Sequence, residues 1–250
     1  MIEPEIQTQT IQSVFSHCKE SEVLSVLGPV ADYVASLDPA ERDSVSAAVA
    51  KRQREFSTGR RFARQLMAAL GLPASRVLVA PDRAPQWPEP MLGSISHSDQ
   101  LAWVVGTVRG RSRVRSLGAD IERLRRLQPE LNSKLFTVSE LRRLRQLAAD
   151  PAQPLLSGLA LDDTEGRCQQ LATLWFSAKE AVYKATAPIA GAFIGFQEVE
   201  LLPAVDGLGF SMRYLGHHGA SAIMEQGTGY LGIRDDHALA LYTISRSDAA

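Results

Sequence analysis

Residues Trp175-Phe176-Ser177-Ala178-Lys179-Glu180-Ala181-Val182-Tyr183-Lys184-Ala185 decide how this chain is read. The stretch reads as a helix whose surface is otherwise aromatic and rich in alanine. Glu180 and Lys184 stand at i and i+4, so both project from one face. A second acidic pair lies upstream, in Leu117-Gly118-Ala119-Asp120-Ile121-Glu122. In an extended segment residues two apart point to the same side, which puts Asp120 and Glu122 together. Two elements thus offer three carboxylates and one lysine that are able to converge. Three oxygen donors with room for water and a phosphate suit Mg²⁺, and a lysine suits the remaining phosphate charge. Neither fragment is telling alone. Asp-x-Glu is common, and Glu180 before Lys184 is also an ordinary surface ion pair worth roughly a few tenths of a kcal/mol.

Together, in this order and with these flanks, the two fragments resemble the 4′-phosphopantetheinyl transferase superfamily, in the type that activates carrier proteins of polyketide, non-ribosomal peptide and siderophore synthesis. Two further segments extend the resemblance. Arg83-Ala84-Pro85-Gln86-Trp87-Pro88, continuing to Gly93-Ser94-Ile95-Ser96-His97-Ser98, is similar to the family's basic-x-Pro and Gly-Ser-x-Ser-His block. Phe56-Ser57-Thr58-Gly59-Arg60-Arg61-Phe62-Ala63 is similar to the Gly-Arg-x-x-Ala signature of the siderophore branch. The four segments occur in family order between residues 56 and 185, and no specific match extends before 50 or after 190. Ser98 stands where many members of that branch carry cysteine, which bears on the sub-branch and not on the chemistry.

The resemblance implies an α+β fold of two pseudo-symmetric α/β halves with the active site at their interface. Residues 1–115 would form the N-terminal, coenzyme A-binding half, and residues 116–250 the half carrying the metal site and catalytic helix. It implies that Asp120, Glu122 and Glu180 hold Mg²⁺ with the pyrophosphate of coenzyme A. Lys184 would contact that pyrophosphate, and Ser96 and His97 would hold a coenzyme A phosphate. Arg60 or Arg61 would pair with the 3′-phosphate, and Arg83 would lie along the adenosine. The implied reaction moves the 4′-phosphopantetheine arm of coenzyme A to a serine of an apo acyl or peptidyl carrier protein and releases 3′,5′-ADP. Glu180 is then the candidate base, and Lys184 stabilises the departing phosphate. The enzyme is expected to be a monomer. Two other classes use the same groups: a Mg²⁺-dependent hydrolase of a nucleotide pyrophosphate, and an inactive module that binds coenzyme A or a carrier.

Composition agrees with a globular enzyme. A chain of 250 residues with 45% hydrophobic content is able to bury a substantial core. Its formal net charge of −1 argues against a generic nucleic-acid binder. The basic residues are uneven, however. Arginines and a lysine crowd the stretch from Arg109 to Arg145, which suits either an acidic partner or a solvated face. Cys18 and Cys168 lack histidines at ligand spacing and form neither a zinc pattern nor a disulfide framework. The acidic start, Met1-Ile2-Glu3-Pro4-Glu5, does not read as a signal peptide, and no apolar run is long enough to span a bilayer. The expected compartment is the cytoplasm. His17, His217, His218 and His237 lie outside every motif.

Along the chain, Gly28-Pro29 reads as a turn. Asp38-Pro39-Ala40-Glu41 reads as a helix start, with Asp38 as N-cap. Helical pattern runs from Ala40 towards Gly59, and a second helix runs to Leu70. Strands are expected at 76–80, 101–108 and 114–121, then a helix at 139–149 capped by Ser139. The motif helix is expected at 169–187, ended by Pro188. Late strands follow at 196–202, 209–215, 230–233 and 237–244.

Overall fold

The computed structural model describes residues 6–150, 154–156, 163–217 and 219–246. The chain divides into two compact units between Val114 and Arg115. Helices and antiparallel sheets together make the fold α+β.

The first unit contains β1 (Thr8–Thr10), β2 (Leu24–Pro29), α1 (Pro39–Asp43), α2 (Ala50–Ala69), β3 (Leu78–Val79), β4 (Pro85–Gln86), β5 (Met91–His97) and β6 (Leu101–Val108). Its main sheet has the order β1-β2-β6-β5 and is antiparallel throughout. β6, Leu-Ala-Trp-Val-Val-Gly-Thr-Val, is buried over nearly its whole length because it has a strand on either side and α2 against it. Phe62, Ala63, Leu66 and Met67 of α2 pack with Val26, Met91, Ala102 and Val104. Gly28-Pro29 closes β2 and is not a free turn. Asp38 caps α1 as expected: its carboxylate accepts from Ala40 N at 3.0 Å, while Asp38 N donates to Glu41 Oε2 at 3.1 Å. α2 does not break at Gly59. A Cβ at that position would sit 2.9 Å from Ile95 Cγ2, so the glycine lets the helix lie close to β5.

The second unit contains β7 (Val114–Arg123), α3 (Asn132–Leu135), α4 (Val138–Ala149), α5 (Thr164–Ala190), β8 (Val199–Pro203), β9 (Gly209–Tyr214), α6 (Ser221–Met224), β10 (Thr228–Arg234) and β11 (His237–Ser245). Its sheet order is β7-β11-β10-β9-β8. α5 packs on β11, β10 and β8, burying Leu171, Leu174, Trp175, Ala178, Ala181 and Val182. Two helix ends differ from the sequence expectation. α4 is capped by Thr137, not Ser139, in a reciprocal capping box with Glu140. α5 starts at Thr164 and runs through Pro188 to a left-handed Gly191. Pro188 falls in the last turn, where few helical bonds remain to be lost, and the glycine supplies the stop. Among the described residues no helix is long and apolar enough to cross a membrane.

A buried ion pair fixes α5 within this unit. Lys179 Nζ lies 2.8 Å from Glu140 Oε2, both side chains being essentially inaccessible to solvent. Lys179 also donates to the carbonyls of Phe196 and Val199, each at 2.6 Å. Glu140 accepts from Leu201 N at 2.8 Å. Burial lowers the Lys179 pKa, and Glu140 works against that. With its hydrogen bonds in place, the pair ties α5 to α4 and β8.

Candidate active site

In the second unit, Asp120 and Glu122 leave the end of β7, and Glu180 and Lys184 leave the middle of α5. Lys184 reaches the strand. Its Nζ is 2.7 Å from Asp120 Oδ1 and donates to Ala119 O at 3.1 Å. The favourable i,i+4 pairing with Glu180 is therefore not its main contact. Arg126 Nη1 lies 3.3 Å from Glu122 Oε2.

The three carboxylates feel one another. Burial first, then the neighbouring Asp120 charge, pushes Glu122 up to about 7, with Arg126 and Lys184 opposing and Glu180 adding to the rise. Glu180 is also raised, first by burial; Lys184 opposes this and Asp120 adds to it. A divalent cation relieves such like-charge crowding. Among the described residues no three acidic, histidine or cysteine side chains close into a ready-made cage. Hard carboxylate oxygens are the donor chemistry that Mg²⁺ takes, with water and substrate phosphate completing its shell. The donor set fits the ion.

In the first unit, His97 ends β5 and faces α2. Arg52 Nη1 is 2.7 Å from His97 Nε2. A guanidinium only donates, so Nε2 accepts and the ring proton lies at Nδ1, 3.7 Å from Glu55 Oε2. Arg52 and Lys51 both lie within ion-pair reach of Glu55, at 3.9 and 3.8 Å. Ser96 is buried on the same strand, opposite Trp103.

Arg60 and Arg61 separate clearly. Arg60 is buried, stacks on the Phe56 ring at 3.8 Å and donates from Nε to Val77 O at 3.1 Å. Burial holds its pKa down to about 10, and Arg52 and Arg64 lower it further against the pull of Glu41. It therefore shares the electrostatic environment of Arg52. Arg61 is exposed, near the Tyr33 ring at 6.0 Å. Arg83 is exposed at the β3–β4 turn, with a left-handed φ of 71°.

Two residues escaped the sequence reading. Arg52 lies outside every quoted motif, although it sits one turn before Glu55 and two turns before Arg60 on α2. Lys179 lies inside the motif, but its partner Glu140 is distant in sequence.

Residues 40–106 match the 4′-phosphopantetheinyl transferase N-terminal domain, and residues 116–241 match the 4′-phosphopantetheinyl transferase superfamily. The chain belongs to this superfamily. It is similar to 4′-phosphopantetheinyl transferase Svp of Streptomyces mobaraensis, with 33% identity over 184 residues, covering 74% of this chain and 68% of that protein. It is also similar to 4′-phosphopantetheinyl transferase PptT of Mycobacterium tuberculosis, with 32% identity over 178 residues, covering 71% and 70%. A solved structure described as a Chronobacterium ammoniagenes ACPS-CoA complex aligns with 52% of this chain and 97% of its own, at 21% identity. Its TM-score of 0.33 is too low to weigh in the assignment. Both matched superfamily segments contain the residues described above: Arg52, Arg60 and His97 in the first, and Asp120, Glu122, Glu180 and Lys184 in the second.

Proposed function

We propose that this chain transfers the 4′-phosphopantetheine arm of coenzyme A to the serine of an apo carrier protein, in a Mg²⁺-dependent reaction that releases 3′,5′-ADP. The observation that carries the reading is the 2.7 Å contact between Lys184 and Asp120, which joins the two acidic elements at one place. Superfamily membership supplies the reaction class.

Asp120, Glu122 and Glu180 would hold Mg²⁺, which supplies charge neutralisation at the pyrophosphate. Lys184 contributes a movable ammonium for a phosphate oxygen once it leaves Asp120. The carrier serine hydroxyl attacks the β-phosphorus. A P–O bond forms there as the bond to the bridging oxygen breaks, and 3′,5′-ADP departs with the bonding electrons. Glu180, directly or through water, takes the serine proton. Burial raises its pKa above the ordinary carboxylate value, which makes it a stronger proton acceptor than an unperturbed glutamate. Arg52, Arg60 and His97 form the group best suited to a coenzyme A phosphate, since they bring two guanidinium groups and an imidazole to one neighbourhood. Arg83 is retained along the adenosine, and Arg61 becomes the weaker candidate for the 3′-phosphate. The chain is read as acting alone, without a second copy, and in the cytoplasm.

Intact mass of an apo carrier protein after incubation with this protein, coenzyme A and Mg²⁺ tests the reading. A pantetheinyl mass gain on the carrier is expected. Loss of coenzyme A without that gain would instead mark a pyrophosphate hydrolase, and neither change would leave only a binding module.

A further inference from the structure

Ser116, Gly118, Asp120 and Glu122 occupy alternate positions of β7 and so share one face of the strand. The roles above use only the last two. Ser116 Oγ donates to Ala185 O at 2.7 Å, inside the protein. Gly118 lies against α5 one turn earlier. A Cβ there would stand 2.1 Å from Ala181 O, 2.5 Å from Ala185 N and 2.8 Å from Lys184 Cβ. Two of these three are helix backbone atoms, which cannot swing aside as the tip of a side chain can. Asp120, next on the face, receives Lys184. Strand and helix are therefore in direct backbone contact between Ala181 and Ala185, immediately after Glu180.

That contact fixes how far the strand-borne carboxylates lie from the helix-borne one. We infer that Gly118, assisted by Ser116, is the spacing residue of the carboxylate cluster and sets its selectivity for a small divalent ion over a larger one. The inference rests on the metal reading of Asp120, Glu122 and Glu180. Mg²⁺ takes its oxygens at about 2.0–2.1 Å in near-ideal octahedral geometry, whereas Ca²⁺ accepts about 2.3–2.6 Å and irregular arrangements. A methyl group at position 118 must push α5 away from β7, because contacts as short as 2.1 Å are not tolerated. The widened spacing handicaps Mg²⁺ more than Ca²⁺. General loosening of the fold would weaken both ions alike.

The test is calorimetric titration of Mg²⁺ and of Ca²⁺ into the full-length protein in the presence of coenzyme A. Gly118→Ala is expected to lose about tenfold or more in Mg²⁺ affinity, the scale seen when supporting contacts of metal ligands are removed, with a clearly smaller loss for Ca²⁺. Ser116→Ala adds no bulk and keeps the fold testable if Gly118→Ala does not fold. It is expected to move the Mg²⁺/Ca²⁺ affinity ratio in the same direction by a few-fold. An unchanged ratio in whichever variants fold overturns the inference. Wild-type protein that binds neither ion, or an Asp120→Ala variant that binds Mg²⁺ as wild type does, would instead overturn the metal reading beneath it.

Discussion

The acidic group of β7 and α5 and the basic group around His97 are assembled in opposite ways. In the second unit, backbone packing does the work. Gly118 brings strand to helix, Lys184 reaches across to Asp120, and the Lys179–Glu140 pair holds α5 on its far side. In the first unit the groups proposed for the phosphate are carried on long side chains. Arg52 stretches from α2 to His97, and Arg60 folds over Phe56 to Val77. A site that must hold a small ion at fixed distances needs the first construction. A site that grips a phosphate tolerates the second, because guanidinium groups adjust while keeping their charge. Mutations in the acidic group should therefore cost turnover, and mutations in the basic group should cost affinity.

Glu180 gives the largest expected effect and the sharpest test of that contrast. Glu180→Gln keeps an oxygen donor but removes charge and basicity, and kcat should fall by about 10²- to 10⁴-fold, the usual contribution of a positioned general base. Added Mg²⁺ should not restore it. Steady-state kinetics across a Mg²⁺ series decides: recovery to near wild-type turnover would leave Glu180 as a ligand only.

Glu122 gives the next effect, through pH. Its pKa is raised from an ordinary 4.5 to about 7, so the folded protein holds a proton that the unfolded chain has released between those values. Stability must then fall as pH rises through that window, because the native state binds more protons there than the unfolded state. The loss is on the order of 3 kcal/mol from this group. Thermal melts of metal-free protein between pH 4.5 and 7.5 should show a decline that Glu122→Gln lessens, since Glu180 is raised in the same direction. Mg²⁺ favours the ionised carboxylate, so it should flatten the profile most at the alkaline end. A Glu122→Gln variant that declines as wild type does would sink the assignment.

The smallest effect concerns the basic stretch beyond the metal strand. Arg123 is engaged with Asp236 at 2.8 Å, Arg126 with Glu122, and Arg143 with Leu201 O at 2.9 Å. These are poor choices for reversal, since each would disturb its own neighbour. Arg125, Arg142 and Arg145 are exposed and better suited to meet an acidic carrier. Reversing them to glutamate should raise the carrier KM only a few-fold each at low salt, consistent with exposed pairs worth about 0.2–1 kcal/mol. The KM for coenzyme A should stay put. A carrier KM that does not move at low ionic strength would remove this surface from the docking account.

How much of this was legible in the sequence also differs between the two groups. Asp120, Glu122, Glu180 and Lys184 were readable because period two and period 3.6 each put the pairs on one side of their element. The contact of Lys184 with Asp120 was not, since it depends on which strand α5 meets. β6 was readable from its continuous apolar run. β2 and β5 were not, because Gly28-Pro29 imitates a turn and Gly93, Ser94 and Ser96 dilute β5. Pairing fixes β5 instead, Ser96 standing opposite Trp103 and Ile95 opposite Val104. Gly93 proves to be a packing glycine as well: a Cβ there would meet the Trp87 ring at 2.6 Å. Arg52 lay beyond the quoted signature, and only the approach of α2 to the end of β5 makes it a partner of His97.

The division of labour is tested most directly by measuring kcat and KM with coenzyme A and with 3′-dephospho-coenzyme A. Wild type, an Arg52→Ala/Arg60→Ala double variant and Asp120→Ala should be compared side by side. Wild type should prefer coenzyme A through KM. The double variant should lose that preference, with KM for coenzyme A raised about tenfold or more, the scale of a lost charge-assisted hydrogen bond, and kcat nearly retained. Asp120→Ala should lose turnover on both donors while any remaining activity keeps the preference. A double variant that still favours coenzyme A as strongly as wild type does, or an Asp120→Ala enzyme with full turnover at limiting Mg²⁺, would contradict it.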